Sequence, residues 1–357
     1  MAGGGLAGMA AALRLEQAGI AYLLLEAQER LGGRIFSQPV AADDGSGVDL
    51  GPTWFWPHQQ RMRRLCAELR CKVFEQHVAG DVLYQQGSAQ PVQRSDAGQG
   101  MLSYRVEGGT QSLIAALAAR LDPAGVQRSC PITNIAPGED GWSVSATAAD
   151  GSEPRQFRAQ HLVLAAPPRK LLQIAGLSSC LPAGLSTALA ATPTWMAAQA
   201  KFVAVYPAPF WRQAGLSGQA FSRVGPMVEI HDASATTDTG FALFGFIGVP
   251  AGVRSRHAAG VLQDACLRQL VSLFGAQAAT PEVSYLKDWA QDAWIVSEQD
   301  IDESPRHPEL DLSRWLPQLR RMQLHLVGSE VAPQEGGYLE GALGSVEVLM
   351  RSPELFS

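Results

Sequence analysis

The stretch Gly3-Gly4-Gly5-Leu6-Ala7-Gly8 sets glycines at positions 3, 5 and 8 in the pattern G-x-G-x-x-G. Each has a mechanical task in that pattern: a tight turn, a close approach of backbone to a pyrophosphate, and close packing of a helix on a strand. From Met9 to Ala18 the chain is rich in Ala and Leu and stops at Gly19, the composition of a helix with a glycine terminator. A helix starting at this turn aims its free N–H groups and positive dipole end at a phosphate. Ile20-Ala21-Tyr22-Leu23-Leu24-Leu25 then reads as a buried parallel strand, closed by Glu26. Glu26 stands 23 positions after Gly3, near the spacing of a carboxylate that binds a ribose hydroxyl.

Working outward, Glu29-Arg30-Leu31-Gly32-Gly33-Arg34-Ile35 supplies a second glycine pair with an arginine, about where a second phosphate contact is needed. Together these spacings favour a flavin dinucleotide over a nicotinamide one. Only Met1 and Ala2 precede Gly3, whereas the motif normally opens with a strand of about five residues. The first strand of the dinucleotide fold is therefore expected to be missing: either the start lies upstream of Met1 or the sheet closes differently.

The 357 residues suit about two domains, and 46% apolar against 17% charged residues excludes a disordered chain. With 28 basic and 34 acidic side chains the net charge is −6, which argues against a nucleic-acid partner. Five cysteines, Cys66, Cys71, Cys130, Cys180 and Cys266, show no metal-ligand spacing; the expectation is a reduced cytoplasmic protein without a metal. No apolar run reaches about 18 residues, so no membrane-spanning helix is expected. The glycine-rich opening lacks the basic start of a signal peptide. Only four of the basic residues are lysines, at 72, 170, 201 and 287.

Further segments follow in a fixed order: Val48-Asp49-Leu50-Gly51-Pro52-Thr53-Trp54, Ser129-Cys130-Pro131-Ile132, and Val163-Leu164-Ala165-Ala166-Pro167-Pro168. After them come Ala200 to Tyr206 with Pro209-Phe210-Trp211-Arg212, then Leu326-Val327-Gly328-Ser329-Glu330 and Gly336-Gly337-Tyr338-Leu339-Glu340-Gly341-Ala342. In these residues, and in their order over nearly the whole chain, the sequence resembles the flavin-containing monoamine oxidase family. The resemblance implies an α/β protein in which a Rossmann-type FAD-binding domain (residues 1–72, 106–172 and 318–357) is interleaved with a mixed-sheet α+β substrate domain (73–105 and 173–317).

Lys201 lies in an apolar run, where loss of water pushes an ammonium toward its neutral form. Either it is such a buried lysine, to which the resemblance gives the task of holding a water against flavin N5, or it snorkels from a strand edge. Tyr338 matches one of two aromatic residues flanking the amine in front of the flavin; the alternative is a core tyrosine. Its partner position, three residues before Gly328, is His325, where the family often has tyrosine. A histidine there either stacks or titrates and repels a protonated amine. Leu324 stands where covalent members carry cysteine, so the resemblance implies noncovalent FAD. Trp289 is either the tryptophan beside the flavin ring or a core residue. The glycine spacings and the resemblance together imply cofactor-binding positions at Gly3, Gly5, Gly8, Glu26, Gly33, Arg34, Gly51, Trp54, Ile132, Gly328 and Glu330. Trp54, Phe55 and Trp56 either line the substrate path or plug the core. Arg61, Arg63 and Arg64 read as a solvated helix face, and Asp300 to Glu309 as a surface loop.

The resemblance implies FAD-dependent oxidation of an apolar or aromatic amine. A hydride equivalent passes from the α-carbon to flavin N5, the imine hydrolyses, and O2 is the acceptor, giving H2O2. The alternatives are a related flavin desaturase similar to protoporphyrinogen oxidase, and a flavin-free pseudoenzyme or binding module.

Overall fold

The computed structural model describes residues 1–40, 46–96, 101–147, 154–236, 240–303 and 305–356. Leu24–Leu25 pairs in parallel with Val126–Gln127, and Leu162–Leu164 pairs in parallel with Leu324–Leu326. Between the two pairs runs the start of the chain: Ala2 bridges Leu25 on one side and Leu164 on the other, both in parallel. Four backbone hydrogen bonds seat it there, Ala2 N to Val163 O, Ala165 N to Ala2 O, Gly3 N to Leu25 O and Leu25 N to Met1 O, at 2.7–2.9 Å. The first strand is thus not missing: Met1 to Gly3 form a short stub of it, which holds the central slot of the sheet. In chain order the segments lie 3-2-1-4-5, the dinucleotide-fold order, with its reversal point between the stub and Leu162–Leu164. The strand expected at Ile20–Leu25 is correspondingly short: the ladder covers Leu24 and Leu25, and before it the Met1 amino group donates to Leu23 O at 2.7 Å.

Both faces of this sheet are covered, as a parallel sheet requires. Leu24, Val163 and Val327 face a core built by the helices Leu6–Gln17, Gln60–Leu69, Gln111–Ala118 and Leu339–Met350. Leu25, Leu162, Leu164, Leu324 and Leu326 face the other way, onto Ile135, Trp142, Val144, Leu177, Leu185, Leu189 and Trp315. The helix Leu6–Gln17 docks close because Gly8 has no side chain: a Cβ there would lie 1.9 Å from the Gly3 carbonyl oxygen.

The second sheet has seven strands in the order Val283–Asp288, Ala200–Tyr206, Phe241–Ile247, Met227–Asp232, Leu216–Ser222, Asp81–Gln85, Gln93–Asp96. Pairings are antiparallel except that of Leu216–Ser222 with Asp81–Gln85. Ala200–Tyr206 is buried along its whole length, and strand alternation divides it. Ala200, Phe202, Ala204 and Tyr206 pack toward the helix Ala259–Phe274, whereas Val203 and Val205 pack on Val48 and Leu50 of the flavin-motif segment. Lys201, odd-numbered, shares the second face.

Two surface expectations change. Arg61 is not simply solvated: it pairs with Glu340 at 3.2 Å and Glu347 at 3.0 Å, while Arg63 and Arg64 are exposed. Within Asp300–Glu309, where Ser304 lies outside the described residues, the polar start is a short helix, Glu298–Asp302, capped by Ser297. Asp300 is buried against Arg169 at 2.6 Å, because that arginine arrives from a segment 131 residues earlier. All five cysteines are free, no described helix is long and apolar enough to cross a membrane, and no metal-ligand cluster occurs among the described residues.

Gly8→Ala forces the first helix off the stub and is expected to cost about 1–3 kcal/mol in urea unfolding. Gly260→Ala, whose Cβ meets nothing within 4 Å, is expected to be neutral or stabilising.

Candidate active site

A cavity of about 700 Å³ runs from the reversal point of the parallel sheet to the second sheet. One end is walled by Glu26, Gln28, Cys130, Ile132 and Thr133. Glu26 is buried, accepting from Gly4 N at 2.5 Å and Gln28 N at 2.8 Å, and burial pushes its carboxyl up. In the middle the walls are bare backbone. Gly3, at φ +106°, lies so close to Ala165 that a Cβ would meet its carbonyl at 2.6 Å. Gly5 and Gly33 face each other, a Cβ on Gly33 standing 3.3 Å from the Gly5 Cα. The helix Leu6–Gln17 starts here with no side-chain cap, so its first N–H groups point at whatever fills this stretch. A dinucleotide fits this form: a carboxylate for a ribose, glycine backbone and a helix N-terminus for phosphates, and length enough for a ring system beyond.

Arg34 closes that middle section. Its guanidinium grips Glu330 with both nitrogens at 2.6 and 2.8 Å, and also reaches Ser329 Oγ at 3.0 Å and Trp195 O at 3.1 Å. Gly328, at φ +146°, turns the chain into Glu330, and its N–H donates to Ser345 Oγ at 2.9 Å.

Lys201 is on the far wall, 2% exposed. Its Nζ donates to Thr53 Oγ1 and lies 3.3 Å from the Gly51 carbonyl, above the Phe244 ring at 3.9 Å from its centroid. Burial pushes the ammonium down to about 7, with Asp49 working against that fall and Arg105 adding to it. Trp289, also on this wall, donates Nε1–H to Leu50 O at 2.9 Å and stands edge-on to Phe36. Trp54 and Trp56 line the cavity, whereas Phe55 between them is buried against Tyr104, so the extended segment does both jobs by alternation.

Tyr338 lines the cavity with Trp56 edge-on at 5.6 Å. Its neighbour is not His325. That residue pairs with Val163 inside the parallel sheet, stacks on His161 with Nδ1 and Nε2 3.2 Å apart, and lines no part of the cavity. The chain reaches the cavity only at Gly328, after the strand has ended, so a position three residues earlier belongs to the sheet. Leu324 likewise points into the core and says nothing about a covalent flavin. The partner of Tyr338 is His307, which sequence reading missed inside a polar stretch. Tyr338 OH is 3.3 Å from His307 Nε2, and Nδ1 of the same ring lies 3.2 Å from Gly336 O. A carbonyl only accepts, so Nδ1 carries a proton toward Gly336, and the tautomer with its one proton there leaves Nε2 to accept from the tyrosine. His307 in turn stacks on Trp195, centroids 3.7 Å apart, and Trp195 forms part of the cavity wall. Trp195 carried no motif; its one sequence signal was a tryptophan just ahead of the lysine strand.

A family profile described as flavin containing amine oxidoreductase matches residues 6–103 and 78–345. A probable flavin-containing monoamine oxidase A of Dictyostelium discoideum is 22% identical over 96% of this chain and 94% of its own length. Among solved structures, the cyclohexylamine oxidase of Brevibacterium oxydans is similar with a TM-score of 0.80 at 21% identity, covering 98% of both chains. A putrescine oxidase bound to putrescine gives 0.76 at 21% identity, again over 98% of both. At such identities these two likenesses speak to the fold.

His325 gives this region a pH signature. Burial pushes it from 6.5 down to about 4. Between those values the unfolded chain takes up a proton that the folded one refuses. Stability is therefore full above about pH 6.5 and falls toward pH 4 by up to about 3 kcal/mol. His325→Leu is expected to flatten this slope in urea melts at about pH 7 and 4.5; an unchanged slope would assign the loss to other groups.

Proposed function

Because the chain belongs to the family of flavin-containing amine oxidoreductases, it is an FAD-dependent enzyme of amine oxidation, and we propose that its substrates are apolar or aromatic amines. FAD supplies the electron chemistry, taking a hydride equivalent from the amine's α-carbon and delivering the electrons to oxygen as hydrogen peroxide. The protein's share is holding, orienting and drying the reactants.

In this reading Glu26 binds the adenosine ribose and Ile132 lies along the adenine. Gly3, Gly5, Gly8 and Gly33 let backbone reach the pyrophosphate beside the uncapped helix. Arg34, Glu330, Gly328, Gly51 and Trp54 frame the flavin half. The cofactor is held noncovalently, a reading supported by the lining itself: its single cysteine, Cys130, stands at the adenine end. Lys201 acts at the flavin's reacting edge, its free amine well populated at neutral pH. Tyr338, Trp56 and Trp195 offer ring faces that orient the amine nitrogen, with His307 fixing the tyrosine from behind. Trp289 buttresses the ring system through Leu50.

We draw the flavin domain as residues 1–72, 106–172 and 318–357, extended to about 191 because Leu177, Leu185 and Leu189 share its core. The remaining residues form the amine-facing domain. Five unpaired thiols support a cytoplasmic site of action.

The observation that carries this reading is a buried lysine on the wall of a dinucleotide-shaped cavity at the sheet's reversal point. The purified protein is expected to be yellow and to consume oxygen, forming peroxide, with a panel of apolar and aromatic amines. Lys201→Met should keep the colour but slow reoxidation of the reduced flavin by roughly tenfold or more, the share of one well-placed group. A yellow protein inert to every amine would favour the desaturase, and a colourless one the binding module.

A further inference from the structure

Behind Lys201 lies a buried charge cluster that none of the roles above uses. Asp49 ends the strand Gly47–Asp49, two residues before Gly51, and is 2% exposed. Its Oδ1 accepts three hydrogen bonds, from Ser37 Oγ at 2.6 Å, Thr110 N at 2.7 Å and Thr110 Oγ1 at 2.8 Å. Thr110 Oγ1 also lies 3.1 Å from Pro52 O, so this network braces the loop that receives Lys201. The other carboxylate oxygen, Oδ2, is buried without a hydrogen-bond partner. Arg105, also 2% exposed, gives Nη1 and Nη2 to the carbonyls of Ser234 and Ala233 at 2.8 and 3.0 Å, and its Nε is likewise buried and unpartnered.

Among the described residues, neither cation touches a carboxylate. Lys201 contacts a hydroxyl, a carbonyl and aromatic faces, and Arg105 contacts carbonyls and the Phe74 ring. The other charged groups near Lys201 have partners of their own. Asp232 is gripped by Arg212 at 2.7 and 2.9 Å, and Asp288 by Arg254 at 2.6 Å. Lys287, in register with Lys201 on the next strand, is paired with Asp292 at 3.5 Å. Beyond Phe244, His231 is bound to Glu229 at 2.6 Å. Of the described carboxylates around Lys201 named here, Asp49 is therefore the one with an open oxygen to serve two buried cations.

We propose that Asp49 and Arg105 are a pair of positioning residues that set the protonation of Lys201 from behind, the carboxylate admitting a proton to it and the guanidinium expelling it. Arg105 and Asp49 carry opposite formal charges, so the three groups sum to zero only when Lys201 is a free amine. A proton on Lys201 leaves one uncompensated positive charge in a buried site, which is disfavoured. The directions in which burial, Asp49 and Arg105 act on Lys201 agree with this arrangement.

The inference rests on Lys201 being the residue that faces the flavin, and its test does not depend on turnover. With only four lysines in the chain, the flavin-loaded protein made with 13C-labelled lysine gives four Cε signals, and Lys201→Met identifies one of them. That signal is expected to titrate near 7 in the parent protein. Asp49→Asn should move the midpoint down by roughly one pH unit, Arg105→Gln should move it up by about as much, and the double variant should return it near the parent. Asp49→Glu should hold it. Midpoints that stay fixed, or that move the same way in both single variants, overturn the proposal; Arg105→Gln decides it alone if Asp49→Asn does not retain flavin. Absence of amine turnover would sink the substrate reading and leave this titration untouched.

Discussion

One guanidinium joins three remote stretches of chain. Arg34 follows the second glycine turn, Glu330 follows the last strand of the parallel sheet, and Trp195 precedes the lysine strand; all meet at the Arg34 fork. Glu330 is 3% exposed, and a carboxylate so deep is tolerable only while both oxygens are held. Lysine would not substitute, since one point charge cannot grip two oxygens and reach a carbonyl as well. The cavity's middle width is thereby fixed by a single planar group.

From that anchor the chemistry is sorted by the period of two along extended backbone. The lysine strand turns its even residues to a helix-covered core and its odd residues toward the flavin motifs, so one alternation both stabilises the sheet and presents Lys201. The same rule makes Trp54 and Trp56 cavity residues and Phe55 a core residue. It also removes His325, which lies within a buried strand.

The glycine turn, Glu26, the second glycine pair and the lysine in its apolar run were legible because each depends on local constraints: backbone conformation, close approach, and desolvation of a rare cation. The interleaved fold was legible through the order of the motifs. What escaped depends on partners brought from afar. Asp300 looked like loop polarity until Arg169 met it, and Arg61 like a solvated face until Glu340 did. His307 gains meaning only from Tyr338 and Gly336. The first strand was misjudged for a different reason: a parallel ladder can be seated by two or three residues when strands flank it on both sides.

The Arg34–Glu330 fork also orders events in time. The two residues are 296 apart in sequence. At translation rates of about 5–20 residues per second, Arg34 waits roughly 15–60 s for its carboxylate. During that interval the first helix and glycine turns exist without the wall that completes their cavity. Closure of that cavity is consequently a late step of synthesis, possible only once Glu330 has been made.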